Sequence, residues 1–162
     1  MQVEPLDNGH DRAGFASGVK SLDRYLRTRS SQDVRRRVAS CFVLVDGDAV
    51  PRAYHTLAAT SLALADLPAA LAAQLPCHPL VPATLLARLA VDYRHRGQRL
   101  GEHMLLDAFA RALGSEVATF AIVVHTKDES ASRFFEAYDF TVLDAGGHRL
   151  FLPMTTIARL FA

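Results

Sequence analysis

The chain has 162 residues, of which half are hydrophobic and 22% are charged, and its formal net charge is +1. This size and composition predict one globular domain over residues 1–162 with one substantial core, and they exclude long disordered stretches. The near-neutral total gives no argument by itself for a nucleic-acid partner, so any attraction to phosphates must come from local charge.

The first predicted helices carry such a local charge. Apolar residues on one face predict a helix from about Val19 to Thr28, and a second helical stretch precedes or includes Arg35–Arg37. Between Lys20 and Arg37 the chain holds seven basic and two acidic residues. This excess can attract phosphates or an acidic substrate, or it can simply be a solvated helix face.

Extended segments follow. The stretches Cys41–Val45 and Val50–Thr60 predict an antiparallel hairpin around the turn at 46–48. A short alanine-rich helix then runs from about residue 66 to residue 75, and the proline-rich segment Pro76–Pro82 predicts a loop.

The middle of the chain predicts a βαβ unit. Thr84–Val91 is a candidate central strand, Tyr93–Arg99 a basic turn, Gly101–Leu113 an amphipathic helix and Glu116–His125 a second buried strand. Strands joined in this way are parallel neighbours with a right-handed crossover.

The last third predicts a helix at Ser130–Tyr138 and a closing pair of strands. These strands are Phe140–Leu143 and Arg149–Pro153, joined around Gly146 and Gly147. The whole order predicts a mixed α/β (α+β) sheet flanked by helices rather than a doubly wound one.

The basic turn is the most informative segment for function. A strand ends, backbone N–H groups become free, and a helix begins, which together make an anion site. Gly97 and Gly101 permit close backbone approach, and Arg94, Arg96 and Arg99 add positive charge. A pyrophosphate suits this arrangement, although a helix start that is merely basic has the same pattern. The turn is neither a dinucleotide GxGxxG nor a Walker loop.

The segment RGQRLG resembles the acetyl-CoA signature (Q/R)-x-x-G-x-(G/A) of the GNAT N-acetyltransferase family. Arg96 matches the first position and Gly101 the last, whereas Arg99 replaces the inner glycine. Further segments, among them VPATLLARLAVD, GEHMLLDAFARAL and LFLPMTTI, resemble in the same order the toxin branch of this family. The resemblance covers nearly the whole chain.

The resemblance implies a central sheet of about six to seven strands, with a V-shaped splay between two parallel central strands where acetyl-CoA lies. Backbone groups of Leu89 and Val91 would pair with the pantetheine arm, and the amides from Arg96 to Gly101 would hold the pyrophosphate. The implied cofactor-binding residues are Leu89, Ala90, Val91, Arg94, Arg96, Gly97, Gln98, Arg99, Leu100 and Gly101.

The implied reaction is direct attack of a primary amine on the thioester, with no acyl-enzyme. In the toxin branch the amine belongs to aminoacyl-tRNA, an antitoxin protein is the partner, and homodimers are common. Two alternatives stay open: a small-molecule amine N-acetyltransferase, and a catalytically impaired protein that binds acyl-CoA.

Impairment is suggested by one position of the last helix. Phe135 stands where this branch usually has a tyrosine, whose hydroxyl protonates the leaving CoA thiolate. Tyr138 is the nearest substitute, although an aromatic residue there is more often part of the core. Arg99 either obstructs the turn or points outward to a phosphate of CoA.

The remaining candidates are weaker. His55 lies on a predicted strand that often faces substrate in this family, and Asp92 ends the central strand, where it could orient an amine. No histidine pair has metal-ligand spacing, so we expect no metal. Isolated Cys41 and Cys77, together with an uncharged run that is broken by prolines, predict a cytoplasmic protein without a membrane span.

Overall fold

The computed structural model describes residues 1–144 and 146–162. Seven strands form one mixed sheet in the order β1-β2-β3-β4-β5-β7-β6. The strands are β1 (Gln2–Pro5), β2 (Ser40–Val45), β3 (Ala53–Ala63), β4 (Leu80–Val91), β5 (Ala121–His125), β6 (Thr141–Val142) and β7 (Arg149–Pro153). The helices are α1 (Lys20–Thr28), α2 (Ser30–Arg35), α3 (Ala69–Ala72), α4 (Leu100–Leu113), α5 (Glu129–Glu136) and α6 (Met154–Leu160). The mixed sheet with flanking helices confirms the predicted fold class.

The chain divides into two compact units. The first contains residues 1–58 and 86–110, and the second contains residues 59–85 and 111–162. Strands β3 and β4 each contribute residues to both. The single domain expected from the sequence remains a prediction.

The first unit has two apolar clusters. One surrounds Tyr54 and contains buried residues of α1, β2 and β4, including Leu26, Val43 and Ala90. The other brings Leu100 and Met104 of α4 together with side chains of β2 and β3. These clusters fix the end of β4 and the start of α4, which flank the basic turn.

The second unit is organised around β5 and β7, which pair antiparallel from Ala121 with Pro153 to His125 with Arg149. Val123 and Phe151 lie in its core with residues of β3 and β4. At residue 126 the chain leaves the sheet, and α5 begins three residues later.

Several elements differ from the sequence predictions. Strand β1 was not predicted because its short polar stretch gains order only by pairing with β2, from Gln2 with Val45 to Pro5 with Phe42. The prediction that Pro76–Pro82 is entirely loop was wrong, since β4 already begins at Leu80.

Strand β5 begins at Ala121 instead of Glu116, because the preceding residues are exposed, with Val117 79% accessible. Helix α6 was not predicted, and it begins directly after Pro153 with Met154 and Ile157 buried. In the described part of the chain, no helix combines the length and apolar character that a membrane crossing requires.

Candidate active site

The turn between β4 and α4 places left-handed residues directly before a helix. Gly97 has a φ of 81° and Arg99 a φ of 57°, and the 14-residue helix α4 begins at Leu100. Left-handed and helical residues in succession gather backbone N–H groups into a concave anion site. The positive end of the helix dipole strengthens such a site. The backbone at 97–101 is therefore of the kind that holds a phosphate group.

Arg99 preserves this backbone although it is not glycine. A side chain in the left-handed region costs roughly 1–2 kcal/mol, and Asp139 and Arg37 are the other described non-glycine residues with positive φ. The Arg99 side chain is 86% exposed, and its Nη1 lies 3.8 Å from Oε2 of Glu102. Its side chain thus points to solvent and leaves the concave side of the turn to the backbone.

The Arg94 side chain forms an ion pair with Asp92, the last residue before the turn. The Asp92 carboxylate is fully buried and accepts hydrogen bonds from Arg94 Nε at 2.8 Å, Arg94 Nη2 at 2.8 Å and the Arg94 backbone N–H at 2.9 Å. These contacts hold the pKa of Asp92 well below its usual range and raise the pKa of Arg94. The hypothesis that Asp92 orients an amine is wrong, because its oxygens serve the protein itself.

The same pair fastens the turn to residues 14–18, called here the strap. Asp92 Oδ2 accepts a hydrogen bond from Ala16 N at 3.1 Å, and Arg94 Nη2 donates to Gly14 O at 3.0 Å. The backbone N–H of Tyr93 donates to Ala16 O at 2.9 Å. These contacts bridge about eighty residues of sequence.

Arg96 is the second fastening of the strap. Its Nη2 donates to Ser17 O at 2.6 Å. Gly18 makes this approach possible, because it has a φ of 94° and a Cβ there would lie only 2.8 Å from the Arg96 guanidinium. The side chains of Arg94 and Arg96 therefore position the turn, and their role in cofactor binding stays a prediction.

The strap is in turn fixed to α1. The buried Asp23 accepts hydrogen bonds from Ser17 N at 2.8 Å and from Ser17 Oγ at 2.7 Å. Arg27 Nη1 donates to Phe15 O at 2.7 Å. A continuous set of charge-assisted contacts thus joins helix α1 to the basic turn.

The three cofactor candidates on β4 alternate between the two faces of the sheet. Leu89 and Val91 pack against the cluster of Leu100 and Met104. Ala90 is buried in the cluster around Tyr54. The Ala90 side chain is thus taken up by packing, whereas Leu89 and Val91 stay partly exposed.

His55 belongs to the protein interior. It is fully buried, and its Nε2 lies 2.8 Å from Asp107 Oδ2 of α4. The hypothesis that His55 faces a substrate is therefore wrong, because its side chain points at α4 and holds that helix to β3.

Helix α5 carries Phe135, the position at which the family resemblance implies a tyrosine. Asp128 caps the helix by accepting a hydrogen bond from Ala131 N at 2.8 Å. Phe135 is 8% exposed and meets Phe140 at a ring-centroid distance of 5.2 Å and Phe134 at 5.1 Å. Tyr138 lies beyond the helix end, half-buried, with its ring 5.3 Å from that of Phe134. Both aromatic candidates thus belong to one packed aromatic group, and a catalytic role for Tyr138 stays a prediction.

Within residues 1–144 and 146–162, no three His, Cys, Asp or Glu side chains converge in a way that would bind a metal ion. Cys41 is buried and Cys77 is exposed, and neither forms a disulfide. Burial raises the pKa of the Cys41 thiol to about 12, so Cys41 is not a reactive thiolate at neutral pH.

Comparison with known proteins shows which proteins this chain is related to. The chain is 35% identical to the tRNA-acetylating toxin of Mycobacterium tuberculosis strain H37Rv over 152 residues, which cover 92% of this chain and 89% of that protein. It is 28% identical to the probable toxin TacT of Sinorhizobium fredii over 98% of this chain and 93% of that protein. No protein-family model matches the chain.

Solved structures agree in fold. A tyrosine-to-phenylalanine mutant of KacT superimposes with a TM-score of 0.93 at 25% identity, covering 99% of this chain and 98% of that one. AtaT complexed with acetyl-methionyl-tRNAfMet gives 0.88 at 24% identity, covering 99% of each chain. A KacTA–DNA complex gives 0.82 at 26% identity, covering 99% and 97%.

The sheet, the anion-binding turn and these structural neighbours define a GNAT-fold acetyltransferase. Within that class, the chain belongs to the family of tRNA-acetylating toxins. The resemblance inferred from RGQRLG and the later segments is confirmed.

Proposed function

We propose that this protein transfers the acetyl group of acetyl-CoA to the α-amino group of an aminoacyl-tRNA, as the toxin of a toxin–antitoxin pair. The observation that carries the proposal is the left-handed turn at Gly97 and Arg99 in front of α4, in a chain 35% identical to a tRNA-acetylating toxin. An N-acetylated aminoacyl-tRNA has lost the nucleophilic amine that peptide-bond formation needs, which accounts for toxicity.

The cofactor would be held mainly by backbone. The amides from Arg96 to Gly101 bind the pyrophosphate, and the β4 backbone from Leu89 to Val91 pairs with the pantetheine arm. Positioning comes from Asp92, whose buried carboxylate ties the turn to the strap. A turn that is already rigid loses little conformational freedom when the ligand binds.

The chemistry is a single displacement at the thioester carbonyl. The amine nitrogen bonds to the carbonyl carbon, the carbon–sulfur bond breaks, and the sulfur leaves with the electron pair. The new ammonium loses its proton to solvent, and the thiolate takes one from water. Phe135 cannot donate a proton, so this step proceeds without the general acid of the related enzymes, and transfer is slow but not abolished.

The tRNA surface is proposed on α1, α2 and the residues that follow α2. The basic residues here that are exposed to solvent are Lys20, Arg24, Arg27, Arg29, Arg35, Arg36 and Arg37. Contacts with backbone phosphates release counterions, so tRNA binding will weaken steeply as the salt concentration rises.

An antitoxin protein is the proposed partner, because the chain is related to toxins, and a mutant of the toxin AtaT, which has a similar fold, has been solved bound to the C-terminus of the antitoxin AtaR. We also propose a homodimer and a cytoplasmic location, where charged tRNA is available.

Calorimetric titration with acetyl-CoA tests the cofactor site. We expect a Kd on the order of 1–10 μM, typical of a working cofactor site. We also expect Arg99→Gly to bind within about threefold of the wild type, because the Arg99 side chain is in solvent and the amides hold the pyrophosphate. A wild type that does not bind refutes the cofactor site. A loss of more than tenfold in Arg99→Gly would instead assign the side chain to a phosphate of CoA.

A further inference from the structure

Arg88 of β4 carries a positive charge that takes no part in the contacts between the basic turn and the strap. It lies on the same face of the strand as Ala90, two residues away, and Ala90 belongs to the cluster around Tyr54. The guanidinium carbon lies 3.5 Å from the centroid of the Tyr25 ring, in cation–π contact. The side chain is half-buried.

The ring beneath Arg88 is fixed from two directions. The Tyr25 hydroxyl donates to Asp33 Oδ2 at 2.8 Å, and its ring stacks on Tyr54 with 6.4 Å between centroids and 14° between planes. Tyr54 is itself held by a 2.7 Å hydrogen bond from its hydroxyl to Leu22 O. Tyr54, Tyr25 and Arg88 therefore form a preorganised three-layer stack.

The stack leaves the hydrogen-bonding edge of the guanidinium unused. Throughout the described residues Arg88 makes no hydrogen bond or ion pair, although a guanidinium carries five N–H donors in a planar fork. The nearby Asp33 carboxylate is engaged by the Tyr25 hydroxyl. The half-buried guanidinium, with one face on the Tyr25 ring, presents paired N–H donors that match the two non-bridging oxygens of a phosphodiester.

A second polar group on the same side also lacks a partner. Thr56 follows Tyr54 by two residues on β3, which puts both side chains on one face. It is fully buried, and its hydroxyl forms no hydrogen bond within residues 1–144 and 146–162. A buried hydroxyl left unsatisfied is uncommon, and ligand binding nearby is one way to satisfy it.

The position of Arg88 along β4 relates it to the reaction. If the pantetheine arm follows Leu89 to Val91 and the pyrophosphate sits at 96–101, Arg88 lies one residue, about 3.3 Å, beyond the arm on the thioester side. This step rests on the proposed function. The surrounding helices add the positive charge that draws a nucleic acid to this face.

We propose that Arg88, stacked on Tyr25, is a binding site for the phosphodiester group nearest the aminoacyl end of the acceptor tRNA. The guanidinium anchors that phosphate through paired hydrogen bonds and so places the amino group at the thioester. Arg88 is a positioning residue for the acceptor, and it does not act on the reacting bonds.

Steady-state kinetics with two acceptors tests the site. The first acceptor is an aminoacyl-tRNA, and the second is an aminoacyl adenosine that contains no phosphate. We expect Arg88→Gln to lower kcat/KM for the tRNA about 10- to 100-fold, the range for one lost charge-assisted pair, mainly through KM. With the aminoacyl adenosine, kcat/KM should change less than threefold. Arg88→Lys should fall between, because it keeps the charge and loses the fork.

Arg24→Gln is the comparison variant for general surface charge, since it removes one exposed positive charge from α1, within the proposed tRNA surface. We expect it to cost tRNA transfer no more than about threefold, as a single screened phosphate contact does. An equal loss in Arg88→Gln and Arg24→Gln would reduce Arg88 to general surface charge. An equal loss with both acceptors would place its effect on the chemistry or the fold, and either result overturns the proposal.

Failure of the proposed function would be visible separately. If the wild type transfers acetyl to neither acceptor, direct binding of tRNA still tests Arg88 by fluorescence anisotropy at several salt concentrations. The site predicts that Arg88→Gln weakens tRNA binding about 10-fold or more relative to Arg24→Gln. Equal affinities of the two variants overturn it, while unchanged melting temperatures exclude loss of the fold as the cause.

Discussion

Phe135→Tyr is expected to raise kcat for acetyl transfer about 100-fold, with little change in the Kd for acetyl-CoA. The substitution supplies a hydroxyl at the position where the family resemblance implies a tyrosine, and a positioned general acid contributes roughly a hundred- to ten-thousand-fold. The lower end of that range applies because the CoA thiolate is a tolerable leaving group without protonation. Single-turnover transfer with saturating acetyl-CoA measures the effect on chemistry directly.

The aromatic surroundings of Phe135 supply the controls. Phe134→Tyr adds the same hydroxyl to the neighbouring ring, 5.1 Å away, and should leave kcat unchanged. Tyr138→Phe tests the aromatic hydroxyl that lies just beyond this helix end. We expect a change of less than threefold, since the ring packs on Phe134. If Tyr138→Phe lowers kcat by about 100-fold, then Tyr138 is the acid and the account of an acid-free reaction is wrong.

Asp92→Asn is expected to lower the free energy of unfolding by about 2–3 kcal/mol at pH 7. The buried carboxylate accepts four hydrogen bonds from Ala16 and Arg94, and hydrogen bonds to a charged group contribute about 1.5–3 kcal/mol. An amide keeps the shape but turns one acceptor into a donor that faces other donors. Urea unfolding measures the difference.

The pH dependence of this stability difference tests whether the negative charge of Asp92 causes it. The pKa of Asp92 lies below its unfolded value of 3.8, chiefly because of the side-chain hydrogen bonds from Arg94. A carboxylate with a lowered folded pKa stabilises the protein above the unfolded pKa, and that stability is lost as the pH falls toward the folded pKa. The gap between wild type and Asp92→Asn should therefore be constant from pH 7 to about 5 and should shrink below about pH 4.

Asp11→Asn is the control for Asp92→Asn, because Asp11 is an exposed carboxylate whose hydrogen bond from Ala13 N is local. Its cost should stay within about 0.5 kcal/mol. A gap for Asp92→Asn that persists unchanged to pH 3 would contradict the assignment, since a packing defect does not titrate.

The elements that the sequence predicted well are those with a strong local pattern. Helix α4 was predicted from Gly101 and begins at Leu100, because its apolar stripe repeats at the helical period. The basic turn before α4 was predicted because glycines next to the start of a helix form a recognisable local pattern. The short edge strand β1 and the helix α6 carry no comparable signal, since β1 is ordered by pairing and α6 by burial of Met154 and Ile157.

The roles of the arginines were harder to predict, because they depend on contacts distant in sequence. The sequence predicts Arg94 and Arg96 as cofactor-binding residues, whereas their side chains bind Gly14 and Ser17, about eighty residues away. The sequence carries no signal for Arg88, because a single arginine within an apolar strand belongs to no motif. Only the fold places it over Tyr25.

The most direct measurement follows labelled acetyl from acetyl-CoA into purified aminoacyl-tRNA. We expect one acetyl group per charged tRNA, none on deacylated tRNA, and release of the label as an N-acetyl amino acid when the ester is cleaved by mild base. A protein that binds acetyl-CoA, acetylates simple amines and leaves every charged tRNA unlabelled would contradict the central claim. It would identify a small-molecule N-acetyltransferase on the same fold.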